Sequence, residues 1–339
     1  MKNKFIPLTL MTCGLLAGAI AAFGQDTTGA AAKPGAPELK YGLYIHFGIT
    51  TFAHPGEQGQ IPAERFAPTA TLDEKAWAHA AKEAGMTFAV LTAKHESGFC
   101  LWDSEGYGYD VAQSPFKGDI IGDFIAACNA EGIVPGLHYS IPDGYNEGGV
   151  RARGPVSPVY FALIKKQITE LHTRYPGIRI EILDGVQRLS PEQLAEIGRI
   201  VRQLSPGCLL FNNTKQLTWG PRCNDDSIIK GWMWKPQAQL SPAETLFEHY
   251  SQAQETGHSY VLNVGPDISG RIPDDQIAVL AQLKDMIATR PLTPPPAATP
   301  PATQPTSAER LKQVKDLYDQ GLINKDDYDK KVKAILDSM

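Results

Sequence analysis

Groups able to do chemistry stand just after six short apolar runs of this chain. They are His46; Lys94-His95-Glu96; His138 and Tyr139 with Asp143 beyond; Asp184 followed by Gly185; Asn212 and Asn213; and Asn263. A strand end is the cheapest place for one polar side chain, so each alone reads equally as a satisfied rim residue. Six in succession imply a polar pocket. Histidine, tyrosine, asparagine and lysine suit the binding of hydroxyl groups. Trp102, Phe47 and Trp232 could offer apolar faces to a ring, although any one of them could be core. His46, His95, Glu96, His138 and Asp184 are metal-capable by type. They lack the short histidine spacings of zinc sites, and the chain has no Cys-x-x-Cys pair. No metal or other cofactor is therefore expected, and no basic cluster points to a phosphate.

These residues need a scaffold that brings them together. Strand patterns fall at 43–47, 87–92, 133–139, 178–183, 208–211 and 260–263, with a weaker one at 227–232. Helical patterns fall between them at 73–84, 119–131, 159–174, 191–204, 243–255 and 274–289, several closed by a glycine such as Gly85 or Gly132. Repeated strand–helix order implies a parallel sheet with helices outside. Over 38–290 it suits an α/β fold of the (β/α) TIM-like barrel type, whose strand C-termini converge on one mouth. A doubly wound open sheet is the alternative. No Gly-x-Gly-x-x-Gly turn follows the first strand, which counts against a dinucleotide fold.

Composition agrees with a globular chain: 339 residues, 42% apolar and 20% charged, with a formal net charge of −5. That balance gives no reason to expect a nucleic-acid partner. Residues 1–24 read as an export signal, with Lys2 and Lys4, an apolar run to Phe23 and an Ala-Phe-Gly end; a membrane anchor is the competing reading. Export implies a periplasmic or extracellular protein in an oxidising compartment, where Cys208 and Cys223 could bridge or remain buried thiols. Residues 291–306 hold 7 prolines in 16 and read as a linker. Residues 307–337 read as a small helical hairpin. Its stripes of Leu311, Val314, Leu317 and Tyr318, then Tyr328, Val332, Ile335 and Leu336, call for another copy, another protein or the main domain.

Five motifs occur in order over residues 40–275. YGLYIHFG (41–48), LTAKHESGFCLWDS (91–104), GLHYSIPD (136–143), ILDG (182–185) and VLNVGPDISGRIP (261–273) together resemble the α-L-fucosidases of glycoside hydrolase family 29. The terminal segment resembles the short C-terminal (SHOCT) domain family, which implies oligomerisation or attachment. The fucosidase resemblance implies a retaining hydrolase acting on fucosylated glycans or glycosides. A carboxylate attacks the anomeric carbon, and a second carboxyl ~5–5.5 Å away protonates the leaving oxygen, then activates water. It assigns the nucleophile to Asp184 and fucose binding to His46 and His95, and its motif blocks include Tyr139 and Trp102 as further substrate contacts, with Trp232 added from its residue type alone.

The chain also departs from that family's pattern. Glu96 and Ser97 replace a histidine and an aspartate, and Gly144 replaces a tryptophan. No glutamate lies between Glu196 and Glu244, where the acid/base is sought. Asp225 and Asp226 are the carboxylates there, in what reads as an irregular loop or a solvated turn. The acid/base is thus Glu96, whose pKa a neighbouring Asp184 would raise, or Asp226. Two functions follow: a hydrolase, or a weak or inactive carbohydrate-binding protein on the same scaffold. The stretch 291–306 is too short to hold the β-sandwich that often follows the barrel in this family, so none is expected between barrel and hairpin.

Overall fold

The computed structural model describes residues 39–54, 57, 59–147, 154–212, 223–292, 307–319 and 324–336. The signal-like segment and nearly all of the proline-rich stretch lie outside them. Among the described residues up to Thr289, seven strands and six α-helices run in the order β1 (Tyr41–Ile45), α1 (Glu74–Glu83), β2 (Phe88–Lys94), α2 (Ile120–Glu131), β3 (Val134–Ser140), α3 (Pro158–Arg174), β4 (Ile180–Asp184), α4 (Pro191–Leu204), β5 (Leu209–Asn212), β6 (Cys223–Ser227), α5 (Ala243–Glu255), β7 (Ser259–Val264) and α6 (Asp274–Thr289). Every pairing is parallel, and the order is β5-β4-β3-β2-β1-β7-β6.

Two apolar clusters show how the sheet bends. Tyr44, Phe88, Val90, Ile180, Ile182, Phe211, Cys223 and Val261 form one buried cluster. They come from six strands, including both edge strands, β5 and β6. Side chains from opposite edges meet only if the sheet curls around them, and the Phe88 and Phe211 rings stack at 6.4 Å. The opposite face, with Leu43, Leu91, Leu137 and Leu183, packs under Trp77, Phe124, Ile168 and Ile197 of the helices. Each such side chain contributes about 1.5–3 kcal/mol. The expected closed barrel is therefore a curled parallel sheet. Among the described residues no hydrogen-bonded pairing joins β5 to β6.

Local sequence sets the helix ends. Ser190 and Gln193 form a reciprocal capping box with Pro191 in the first turn of α4. Asp119 caps α2, and Gly132 ends it in the left-handed conformation. The sheet strand near 227–232 is displaced: β6 spans Cys223–Ser227, and the next residues turn. Its sequence, CNDDS, is polar on both faces, so hydrophobic alternation could not reveal it. Asp225 and Asp226 consequently sit in a strand, not in a loop. Cys100, Cys128, Cys208 and Cys223 are buried thiols, and no disulfide joins Cys208 to Cys223.

Beyond α6 the chain forms α7 (Ser307–Asp319) and α8 (Lys325–Leu336). The Asn324 side chain caps α8 by accepting from Asp327 N–H at 2.9 Å. The Tyr318 and Tyr328 rings lie 4.8 Å apart. No residue of α8 is buried.

Candidate active site

The site lies at the C-terminal ends of the strands, and one irregularity in β2 decides what enters it. Thr92 pairs with His138, but Lys94, two residues on, pairs with Tyr139, one residue on. This bulge resets the in–out alternation of the strand. Lys94 turns to the helix side and meets Asp143 at 2.8 Å. His95 turns inward and meets His46 with ring centroids 5.1 Å apart. Thr92 also ties down the end of β1, because its hydroxyl donates to the Phe47 carbonyl at 2.7 Å.

Three histidines thus converge. His138 lies 5.7 Å from His46 and 5.8 Å from His95. Tyr44 packs against His46 at 4.4 Å, Trp232 stands 5.0 Å from His46, and the Tyr44 and Trp232 rings are 6.4 Å apart. Asp184 closes the group from the end of β4, its Oδ2 at 4.0 Å from His138 Nε2 and its side chain 26% exposed. Gly185 must follow it. Its φ is +71°, and a Cβ there would lie 2.2 Å from Pro142 Cδ. Asn263 holds His46 from below, with Oδ1 at 2.7 Å from His46 Nδ1.

Burial keeps these rings neutral. It pulls His46 well below the usual histidine range, and the neighbouring His95 and His138 add to the shift against a smaller opposing effect of Asn263. Burial lowers His95 to about 4, although Asp184 pulls the other way. Burial likewise lowers His138 to about 3, opposed by Asp184 and assisted by His95 and Lys94. Burial, then Asp184 and Asp225, push the Tyr44 phenol up. His138 Nδ1 is buried without a hydrogen-bond partner. The result is the Asp184 carboxylate facing uncharged imidazole donors and acceptors with an aromatic wall. Such a surface matches a polyhydroxylated ring better than an anion. Among the described residues, no three histidine, cysteine or acidic side chains are grouped as a metal would require.

The structure brings together Asp184, His46, His95 and Trp232 from the sequence-expected set. Glu96 is half-buried beside His95, its carbonyl accepting from Gly144 N–H at 2.7 Å. Three expected members lie elsewhere. Tyr139 follows the inward His138 and so points outward, where its hydroxyl donates to Gln167 at 2.6 Å. Trp102 is 1% exposed, and its indole N–H donates to Glu170 at 3.2 Å. Asp226 occupies the outer face of β6, accepting from Tyr260 Oη at 2.9 Å and pairing with His249 Nδ1 at 2.6 Å. Its neighbour Asp225 shares the inner face with Cys223 and Ser227. Sequence reasoning missed Tyr44. Its position two residues before His46, on the same strand face, was the available signal.

A curled parallel sheet with its polar cluster at the strand C-termini defines a barrel-like α/β fold. The alpha-L-fucosidase family model matches residues 60–289, and the chain belongs to that family. A rice relative is 29% identical over 83% of this chain and 66% of its own length. Alpha-L-fucosidase 1 of Arabidopsis thaliana is 28% identical over 72% of this chain and 57% of its own. The chain thus spans about two-thirds or less of these curated relatives. A family 29 alpha-L-fucosidase from Bacteroides thetaiotaomicron superposes with a TM-score of 0.63 at 22% identity, covering 74% of this chain and 71% of that one.

Proposed function

We propose that the protein is an exported, retaining α-L-fucosidase that removes terminal α-L-fucosyl residues from glycans or glycosides. Family membership supports the reaction class. The observation that carries the reading is Asp184, partly exposed at the mouth and opposed by neutral histidines. Its carboxylate attacks the anomeric carbon, and the glycosyl ester is then hydrolysed. Uncharged His46 and His95 take the sugar hydroxyls, and Trp232 covers an apolar face of the ring. Glu96 is the residue we assign to proton delivery at the leaving oxygen, since Asp226 is engaged by His249 and Tyr260. Residues 1–24 would direct export, and residues 307–337 would act as a SHOCT-like attachment or self-association module.

The engagement of Asp226 and the missing family glutamate favour one other reading, a carbohydrate-binding protein with little turnover. An aryl α-L-fucoside separates the two, because its leaving group needs little protonation. Wild type should hydrolyse it with retention, and Asp184→Ala should lose roughly 10³-fold or more while staying folded. Azide should restore a Glu96→Ala variant with a fucosyl azide of retained configuration. Absence of turnover in wild type, with fucose still bound, would leave only the binding reading.

A further inference from the structure

One buried amide has its orientation fixed by its neighbours. Asn263 Nδ2 lies 2.9 Å from the Trp232 carbonyl oxygen, which can only accept. The same nitrogen lies 2.8 Å from Ser227 Oγ. That hydroxyl faces the Ile229 carbonyl at 2.8 Å and the Gly231 carbonyl at 3.2 Å, both acceptors, so its single hydrogen goes to one of them and it too accepts from Asn263. Both Asn263 hydrogens are thereby used, and Oδ1 must be the atom facing His46 Nδ1 at 2.7 Å. An amide oxygen accepts, so His46 carries its proton on Nδ1. The ring is uncharged, being buried beside His95, His138 and Tyr44 with no carboxylate bonded to it. Its Nε2 is then a lone pair, with Trp232 packed 5.0 Å away.

We infer that Asn263 is a positioning residue that makes His46 a hydrogen-bond acceptor toward ligand and, through the same amide, pins the turn carrying Trp232. The ligand group facing His46 is consequently a hydroxyl that donates. A ring methylated at that oxygen offers no hydrogen and is disfavoured, whereas a free hydroxyl is held. The two arms are separable. Ser227→Ala removes one Nδ2 partner and leaves the His46 contact in place, so it loosens only the Trp232 side.

The inference rests on the fucosidase reading for its ligand, but its first test does not. In full-length protein with 15N-labelled histidine, the ring nitrogens of His46, assigned by their loss in His46→Gln, should show a proton on Nδ1 and none on Nε2 at pH 7. Asn263→Ala should move the proton toward Nε2. A wild-type Nε2–H signal overturns the inference whatever the enzyme turns over. Asn263→Asp places a carboxylate against Nδ1 and should hold His46 as imidazolium over mildly acidic pH. KM for the aryl fucoside should then rise roughly tenfold as pH falls, with kcat changing less, and wild type should lack that limb. A KM–pH profile of Asn263→Asp that overlays wild type also overturns it. Absence of all turnover with the Nδ1 proton in place removes the fucosidase reading and leaves the positioning role standing.

Discussion

Lys94 and His95 are adjacent in sequence and belong to two different polar clusters. On the helix side, Lys94 Nζ donates to Asp143 at 2.8 Å and to Tyr160 Oη at 2.9 Å. Asp143 also accepts from Tyr145 N–H at 2.9 Å, from Asn146 N–H at 3.0 Å and from Asn146 Nδ2 at 2.8 Å. Burial raises its carboxyl, yet Lys94 and Asn146 outweigh burial and hold it below the usual value. On the pocket side the histidines are neutral, and His138 Nδ1 is buried with no hydrogen-bond partner beside Asp184, whose Oδ2 lies 4.0 Å from His138 Nε2. The first cluster is closed and can only brace. The second is under-satisfied, and a ligand gains by completing it. Charge alone would pick Lys94 as the functional residue; the pattern of satisfied bonds picks its neighbour.

The sharpest way to break that contrast is Lys94→Met. It strands a buried Asp143 charge and should cost about 3–5 kcal/mol in urea unfolding, with much of it regained in Lys94→Met/Asp143→Asn. Stability left intact, with ligand affinity lost instead, would show that Lys94 belongs to the pocket. Gly185→Ala comes next. Its left-handed backbone and the clash with Pro142 should cost about 1–3 kcal/mol. Because Asp184 C=O is bonded by Ile141 N–H at 2.9 Å, the strain is delivered next to the nucleophile candidate. Turnover should drop on the order of 10²-fold, more than stability explains. Trp232→Ala should raise KM for the aryl fucoside about ten- to thirtyfold, near 2 kcal/mol, with a small change in melting temperature. A large loss of stability and no change in KM would make it a core residue, as Trp102 is.

Much of this frame is legible from local signals. The helix expected at 191–204 coincides with Pro191–Leu204, because the Ser190 cap and the 3.6-residue apolar period are both written locally. Strand ends, and so the neighbourhood of the site, are readable for the same reason. Which way an end residue faces is not. His138 and Tyr139 are equally good candidates by position, and only strand pairing sends one inward. The bulge between Thr92 and Lys94 reverses the alternation where it matters most, and no residue there advertises it. β6 escapes because its face alternation is Cys-Asp-Ser against Asn-Asp, with no apolar stripe. Trp102 lies in a loop that the fold buries, a tertiary outcome without local trace.

The two clusters should also differ in acid stability. His138 has a native pKa of about 3 against 6.5 when unfolded. As pH falls below 6.5, the unfolded chain takes up a proton that the native state refuses, so stability is lost on acidification down to about pH 3. The slope reaches at most about 1.4 kcal/mol per pH unit for one histidine. Asp143 works in another window: its native carboxyl is depressed, so its contribution persists above the unfolded value of 3.8 and fades only below it. Glu181, raised by burial, acts in the opposite sense to the histidine, losing stability as pH rises above 4.5. The raw wild-type profile therefore mixes signs, and the difference between two proteins isolates one group. Urea midpoints of wild type and His138→Gln at pH 6.5, 5.5 and 4.5 should converge or cross as the variant sheds its share of the acid loss. Parallel profiles would mean that His138 is protonated in the native pocket, and the picture of a neutral ring around Asp184 would go with it.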